Sequence, residues 1–167
     1  MMEESLRKQI LRRHEALRSE RAPWLKHWQD VSKLVLPASG RFISGDRTPA
    51  KFNDIYDNTA TRAMRTLAAG LMSGMTSPAR PWFKLATPDP ELMKYHPVKV
   101  WLDEVAKIIH TIFQRSNTYD ALHILYEELA VYGTAASVIE TDYHNIIRHY
   151  PLTAGEYSIA TNFRGEV

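Results

Sequence analysis

The chain has 167 residues, of which 44% are hydrophobic, 24% charged and 10% aromatic, and these globular values argue against disorder and low complexity. Because it has no cysteine, a disulfide framework and a thiolate metal site are excluded. The net charge of +2 hides an asymmetry, since residues 1–51 hold 11 Lys and Arg against 6 Asp and Glu, whereas residues 118–167 hold 2 against 7. This split is typical of a nucleic-acid arm, of contact between successive copies of one chain, or simply of solvated helix faces.

The first third of the chain is predicted to form two helices and a long loop. Residues 3–20 show a polar helical pattern with a thin apolar stripe, which needs another surface to be stable. The stripe consists of Leu6, Ile10 and Leu17. A second helix is predicted to begin near Pro23, since proline is tolerated in a first helical turn, and to end at Pro37. Residues 38–53 form a loop long enough to indicate a functional or mobile segment.

The clearest predicted helix carries two glycines. Asp57 or Asn58 can cap its first turn, and small and apolar residues recur along one face as far as Met75. Gly70 and Gly74 lie four apart, and each costs about 1 kcal/mol of helix propensity relative to alanine. Because glycine lets another backbone approach closely, we expect tight packing against this face.

The rest of the chain changes from a helical to an extended pattern. A short strand is predicted at residues 82–86, helices at 98–115 and 117–133, strands at 136–141, 146–150 and 157–161, and a hairpin turn at 162–165. The predicted fold class is α+β, with about five helices followed by a small antiparallel sheet. A domain rarely stops two residues into a strand, so we expect this chain, truncated within a hairpin, to be part of a longer product. Two units are predicted, an N-terminal helical arm and loop (1–52) and an incomplete α+β portion (53–167).

The sequence contains no constellation typical of catalysis. Phosphate-loop, dinucleotide, zinc-protease and nucleophile-elbow motifs are all missing. His144 and His149 flank a predicted strand near Asp142, but side chains five apart in a strand point to opposite faces, which disfavours a shared metal ion. Glu127 and Glu128 lie in mid-helix, where adjacent glutamates usually form a solvated face. We therefore expect no catalytic residue, no cofactor and no metal site.

One alternative function concerns the basic N-terminus. Basic side chains surround Trp24 and Trp28, and such a patch can contact phosphates and stack on bases. Both tryptophans also lie on the predicted apolar face, which favours packing in the core. A helical nucleic-acid-binding module is kept as the alternative.

The segment from Thr66 to Leu85 is distinctive, with two glycines in a helix and a Pro81-Trp82-Phe83 exit. It resembles the head-to-tail connecting (portal) proteins of short-tailed bacteriophages. Further pieces agree with that family in order: Trp24-x-x-x-Trp28, Ser39-Gly40-Arg41-Phe42, Asp54-Ile55-Tyr56-Asp57, Leu125-Tyr126-Glu127-Glu128-Leu129 and Gly155-Glu156-Tyr157. The resemblance covers nearly the whole chain. It marks the following as signature packing residues: Gly70, Gly74, Pro81, Trp82 and Phe83.

The resemblance implies a structural protein rather than an enzyme. Family members form a ring, typically of about twelve copies, at one capsid vertex, which is a conduit for double-stranded DNA packaging and ejection and the point of head-tail attachment. The implied partners are other copies of the chain, capsid and scaffolding proteins, DNA, and, through parts beyond Val167, the terminase and a tail adaptor. No membrane is implied. The implied location is the virion, and the host cytoplasm during assembly. Residues 53–167 then look like part of the outer wing, and Arg12 and Arg13 are candidate subunit contacts.

Overall fold

The computed structural model describes residues 2–37, 39–40, 42, 57–164 and 166. In that part of the chain, four α-helices precede a two-stranded antiparallel sheet, which confirms the α+β class and comes close to the predicted helix count. The elements are α1 (Met2–Val35), α2 (Thr59–Met75), α3 (His96–Arg115), α4 (Thr118–Tyr132), β1 (Ala136–Asp142) and β2 (Ile146–Leu152). None of these helices is long and apolar enough to cross a membrane.

Helix α1 is continuous where two helices were predicted. Pro23 lies inside it, so the predicted break near that residue is wrong. An interior proline removes one backbone hydrogen bond and crowds the preceding turn, so it tends to kink or break a helix. The turns on both sides of Pro23 have contacts of their own, because the Arg21 guanidinium donates to the Tyr157 carbonyl oxygen and the Trp28 ring lies 6.5 Å from the Tyr132 ring. These contacts support the helix on both sides of the proline.

The core lies where α2 packs on α4. Met64 and Ala68 of α2 are buried, as are Ala121 and Tyr126 of α4. The Thr76 hydroxyl, directly after α2, lies 3.0 Å from the Tyr126 hydroxyl and completes the contact. Met64 and Ala68 are therefore the residues of the predicted apolar face of α2 that are buried against α4.

Two predicted strands do not form. Residues 82–86 and 157–161 pair with no strand in the described structure. Tyr157 makes other contacts: its hydroxyl lies 2.9 Å from the Thr134 hydroxyl, and its carbonyl oxygen accepts from Arg21. The predicted turn after the second segment is present, with the Asn162 N–H donating to the Glu166 carbonyl oxygen at 2.8 Å.

The hairpin of β1 and β2 matches the prediction and is attached to α4 by one side chain. The strands pair from Ala136 opposite Leu152 to Asp142 opposite Ile146. The Asn117 amide donates to the His149 carbonyl oxygen at 2.7 Å and accepts the His149 N–H at 2.9 Å. Asn117, the first residue of the predicted helix, holds the N-cap position of α4, but its side chain binds the strand rather than the helix.

Candidate functional site

A buried glutamate gathers three stretches of the chain. Glu128 of α4 is only 2% exposed. Its Oε1 accepts hydrogen bonds from the Ser39 hydroxyl and, at 2.9 Å, from the Thr153 hydroxyl, and its Oε2 accepts the Ala154 N–H at 3.1 Å. The prediction that both glutamates lie on a solvated face is therefore wrong for Glu128. Its neighbour Glu127 is the more exposed of the two.

The loop after α1 enters this site through a glycine. The Gly40 N–H donates to the Thr153 Oγ1 at 2.7 Å, and Gly40 has a φ of +87°. A Cβ at this position would lie 2.4 Å from the Phe42 ring and 3.2 Å from the Tyr132 hydroxyl oxygen. Both the backbone conformation and the space therefore require glycine.

A serine and a tyrosine close the site on the side of α1. Ser32 is 1% exposed, and its hydroxyl donates to the Ser39 carbonyl oxygen at 2.9 Å. Burial raises the pKa of Tyr132 to about 12, and the negative charge of Glu128 acts in the same direction, whereas the nearby Ser32 and Ser39 hydroxyls oppose it. Tyr132 therefore stays neutral at physiological pH. The site is called the Glu128 cluster below and consists of Ser32, Ser39, Gly40, Glu128, Tyr132, Thr153 and Ala154.

Three separate pieces of the signature pattern meet at the Glu128 cluster. Ser39-Gly40 supplies the loop and Glu128 supplies the carboxylate. The third piece, Gly155-Glu156-Tyr157, lies beside them, because the Glu156 Oε2 accepts the Thr153 N–H at 3.1 Å. Residues more than a hundred positions apart are thus fastened together by side-chain hydrogen bonds.

The Pro81-Trp82-Phe83 exit joins the end of α2 to the next two helices. The Trp82 ring lies 5.0 Å from the Phe83 ring and is stacked 6.1 Å from the Phe113 ring of α3. The Trp82 Nε1 donates to the Tyr119 hydroxyl of α4 at 3.3 Å. Pro81 itself is exposed. The aromatic pair thus has packing partners, and its role as a family signature stays a prediction.

The two glycines of α2 lie on an open surface. No described atom lies within 4 Å of the place where a Cβ would stand at Gly70 or Gly74. Leu67 and Met75 on the same helix are also exposed. The tight contact predicted at these glycines is not made by the described part of this chain, and it stays a prediction for another surface.

Replacing Gly70 by alanine should stabilise the isolated chain by about 0.5–1 kcal/mol, because alanine loses less backbone entropy in a helix and meets no neighbour here. Urea unfolding followed by circular dichroism measures the effect. Gly133→Ala is the matched control, because Gly133 has equally open surroundings but a φ of +75°, so that alanine there should destabilise. A loss of stability in Gly70→Ala would contradict the open surface.

The N-terminal half of α1 carries the two candidate contact residues. Arg12 and Arg13 are both exposed, as are residues 5–20 in general apart from Leu17. Further along, the Trp28 ring packs on Tyr132, whereas Trp24 is 59% exposed, so the expected core role holds for one tryptophan and is wrong for the other.

The histidines near the hairpin do not converge with other ligands. The described residues contain no group of three or more His, Cys, Asp or Glu side chains placed to hold a metal ion. Asp142 instead accepts the His144 N–H at 3.1 Å, and this hydrogen bond lowers the pKa of the Asp142 carboxyl. Burial lowers the pKa of His149, whose Nε2 has no hydrogen-bond partner among the described residues.

The contacts described above fasten distant stretches of the chain to one another. The chain belongs to the bacteriophage head to tail connecting protein family, whose profile matches residues 7–167. It is 50% identical over 169 residues to a probable portal protein of Bordetella phage BPP-1, and 40% identical over 168 residues to the portal protein of Salmonella phage epsilon15. These alignments cover 100% and 99% of this chain, and the chain spans 30% of the length of each relative. The resemblance noted in the sequence is confirmed.

Proposed function

We propose that this chain is the N-terminal part of a phage portal, a structural component of the ring at the capsid vertex. The ring is a conduit for packaging and ejection of double-stranded DNA and attaches the tail to the head. The family match over residues 7–167 carries the proposal, together with two relatives that are named portal proteins. The chain has no chemical step of its own in this role, because ATP hydrolysis belongs to a separate terminase.

The proposed assembly sets the partners and the place of each part. Copies of the full-length product form a ring of about twelve, as in the resembling family, with capsid and scaffolding proteins around it. Residues 53–167 belong to the outer wing, with residues 1–52 as an arm and loop. Terminase and tail adaptor bind parts beyond this chain. Assembly takes place in the host cytoplasm before the ring becomes part of the virion.

Charge supports a head-to-tail contact between copies. A ring is heterologous, so the front of each copy meets a different surface of its neighbour. Residues 1–51 are basic and residues 118–167 are acidic, and this gives the two surfaces opposite signs. Arg12 and Arg13 are exposed and available on the arm.

Reversing both charges tests this contact. Arg12→Glu with Arg13→Glu in the full-length product should reduce the fraction of rings severalfold at low salt, with a smaller difference at 1 M salt because exposed charges are then screened. Mass photometry gives the ring fraction. Arg62→Glu with Arg65→Glu on α2 reverses the same charge at exposed positions outside both the arm and α3 and serves as the control. Ring formation unchanged by the arm reversal would remove the charge argument, and a product that never forms rings would overturn the portal proposal.

A further inference from the structure

One face of the arm is exposed in the described part of the chain. Ile10 is 59% exposed, and Arg13 and Leu17 follow it at spacings of three and four residues, which return to one side of a helix. Helix α1 contacts the body through its later turns, for example where the Thr61 hydroxyl donates to the Val35 carbonyl oxygen at 2.9 Å. The face formed by Ile10, Arg13 and Leu17 is called the arm seam. An exposed Ile10 and a partly buried Leu17 on either side of one cation favour a contact surface over a fully solvated helix.

A second exposed face lies on α3. Trp101 and Ile108 are 60% and 59% exposed, and the exposed Glu104 stands between them at the same spacing of three and four. Leu102, the buried residue of α3, lies about 100° around the helix from Trp101. The face formed by Trp101, Glu104 and Ile108 is called the α3 seam. Large exposed apolar side chains around one charge indicate a protein interface.

We propose that the arm seam of one copy docks on the α3 seam of a second copy, with Arg13 paired to Glu104. The charged residue is the middle member of each seam. When Arg13 lies opposite Glu104, the apolar residues of the two seams therefore also lie opposite one another, whether the helices are parallel or antiparallel. A single polar position within an apolar seam sets the register of two helices. The occupant is a second copy because one chain carries both faces with opposite central charges, while its own arm is held on α2 and α4.

This contact repeats from copy to copy. Docking of one arm leaves the neighbour's arm and the first copy's α3 free, so the same contact adds further copies and closes into a ring when the rotation allows. Closure rests on the proposed portal function, whereas docking itself does not. Two short seams bury much less than the roughly 1,200–2,000 Å² of a stable interface, so the contact is weak without the rest of the full-length product.

The lack of cysteine in residues 1–167 makes a direct test possible. Arg13→Cys and Glu104→Cys are made as separate full-length proteins in which any cysteine beyond residue 167 is replaced by serine, so that each carries one added thiol and a different affinity tag. Mixed under a mild oxidant, they should form the disulfide-linked heterodimer about tenfold faster than Arg12→Cys mixed with Glu104→Cys, because residue 12 points about 100° away on the helix. Mixing separate variants records only contacts between copies. Equal rates for positions 12 and 13, or no heterodimer, would overturn the proposal.

A charge swap supplies the second measurement. Arg13→Glu should weaken association severalfold in sedimentation at low salt, and adding Glu104→Arg to the same chain should restore it. No restoration would overturn the Arg13–Glu104 pairing. Ring formation is recorded separately: rings without the position-13 cross-link would overturn the docking and leave the portal proposal standing. The cross-link without rings would support the docking and overturn the portal function.

Discussion

Glu128→Ala should lower the free energy of unfolding by about 3 kcal/mol, the largest loss expected for an acidic residue here. The change removes a carboxylate that accepts from two hydroxyls and from the Ala154 N–H, and hydrogen bonds to a charged group contribute about 1.5–3 kcal/mol each without being additive. It also leaves buried donors without an acceptor. Urea unfolding at pH 7 measures the loss.

The adjacent residue supplies the control. Glu127→Ala removes a charge whose described ion-pair contact is with His123 at 3.7 Å, and partly exposed pairs of this kind contribute about 0.5 kcal/mol or less. Glu128→Gln separates shape from charge, because its amide can keep the Ala154 N–H and donate to a hydroxyl. We expect a loss near 1 kcal/mol for this variant, since most of the hydrogen bonds survive as neutral ones. If Glu127→Ala and Glu128→Ala cost the same, the Glu128 cluster does not hold the fold together.

Gly40→Ala should destabilise the chain by about 2–3 kcal/mol, for two separable reasons. A residue with a Cβ at a φ of +87° costs about 1–2 kcal/mol in backbone strain. The new methyl group would also lie 2.4 Å from the Phe42 ring, which cannot stay in place beside Tyr132, whose ring lies 6.2 Å from it. Thermal and urea unfolding give the change in stability.

The packing part is isolated by comparison with the other left-handed glycine. Gly133→Ala meets the same backbone strain at a φ of +75° but no atom within 4 Å. The difference between the two variants is therefore the cost of displacing Phe42. Equal losses at both positions would show that the ring moves away freely and that the loop after α1 is not closely packed.

The sequence predicted the elements whose signals are local. The apolar period placed α2, α3 and α4 to within a few residues, and α4 ends at the left-handed Gly133, the last residue of the predicted range. Strands β1 and β2 were also predicted from their composition. The prediction succeeded because the two strands are consecutive in the chain and pair with each other. The segments 82–86 and 157–161 have similar composition but no strand beside them. Strand formation depends on such a partner, and composition does not reveal one.

The Glu128 cluster was missed because its partners arrive from distant parts of the chain. A usable signal was present all the same. Glu128 lies seven residues after Ala121 and four before Tyr132, so the helical period places it on the buried face, whereas Glu127 is turned away. A charged residue in phase with a core stripe indicates a buried acceptor, and its donors are then sought among Ser, Thr and backbone N–H groups.

Arg12 and Arg13 illustrate the remaining limit. The helix predicted over residues 3–20 already places their side chains about 100° apart, and α1 keeps that geometry. Which of the two would face a neighbouring copy depends on the surface of that copy, which the sequence of one chain does not give.

The attachment of α1 to the body has a mechanical consequence. Helix α1 is attached to the rest of the structure from Arg21 onward, so the residues before Arg21 can pivot about its guanidinium. The first turn of α1 lies about 28 Å from this pivot, and a tilt of about 5° at the pivot displaces the first turn by about 2.5 Å. Pro23, two residues after Arg21, removes one backbone hydrogen bond from this part of the helix. In the proposed ring, such a tilt would let the arm adjust to the pose of a neighbouring copy while the Glu128 cluster stays in place.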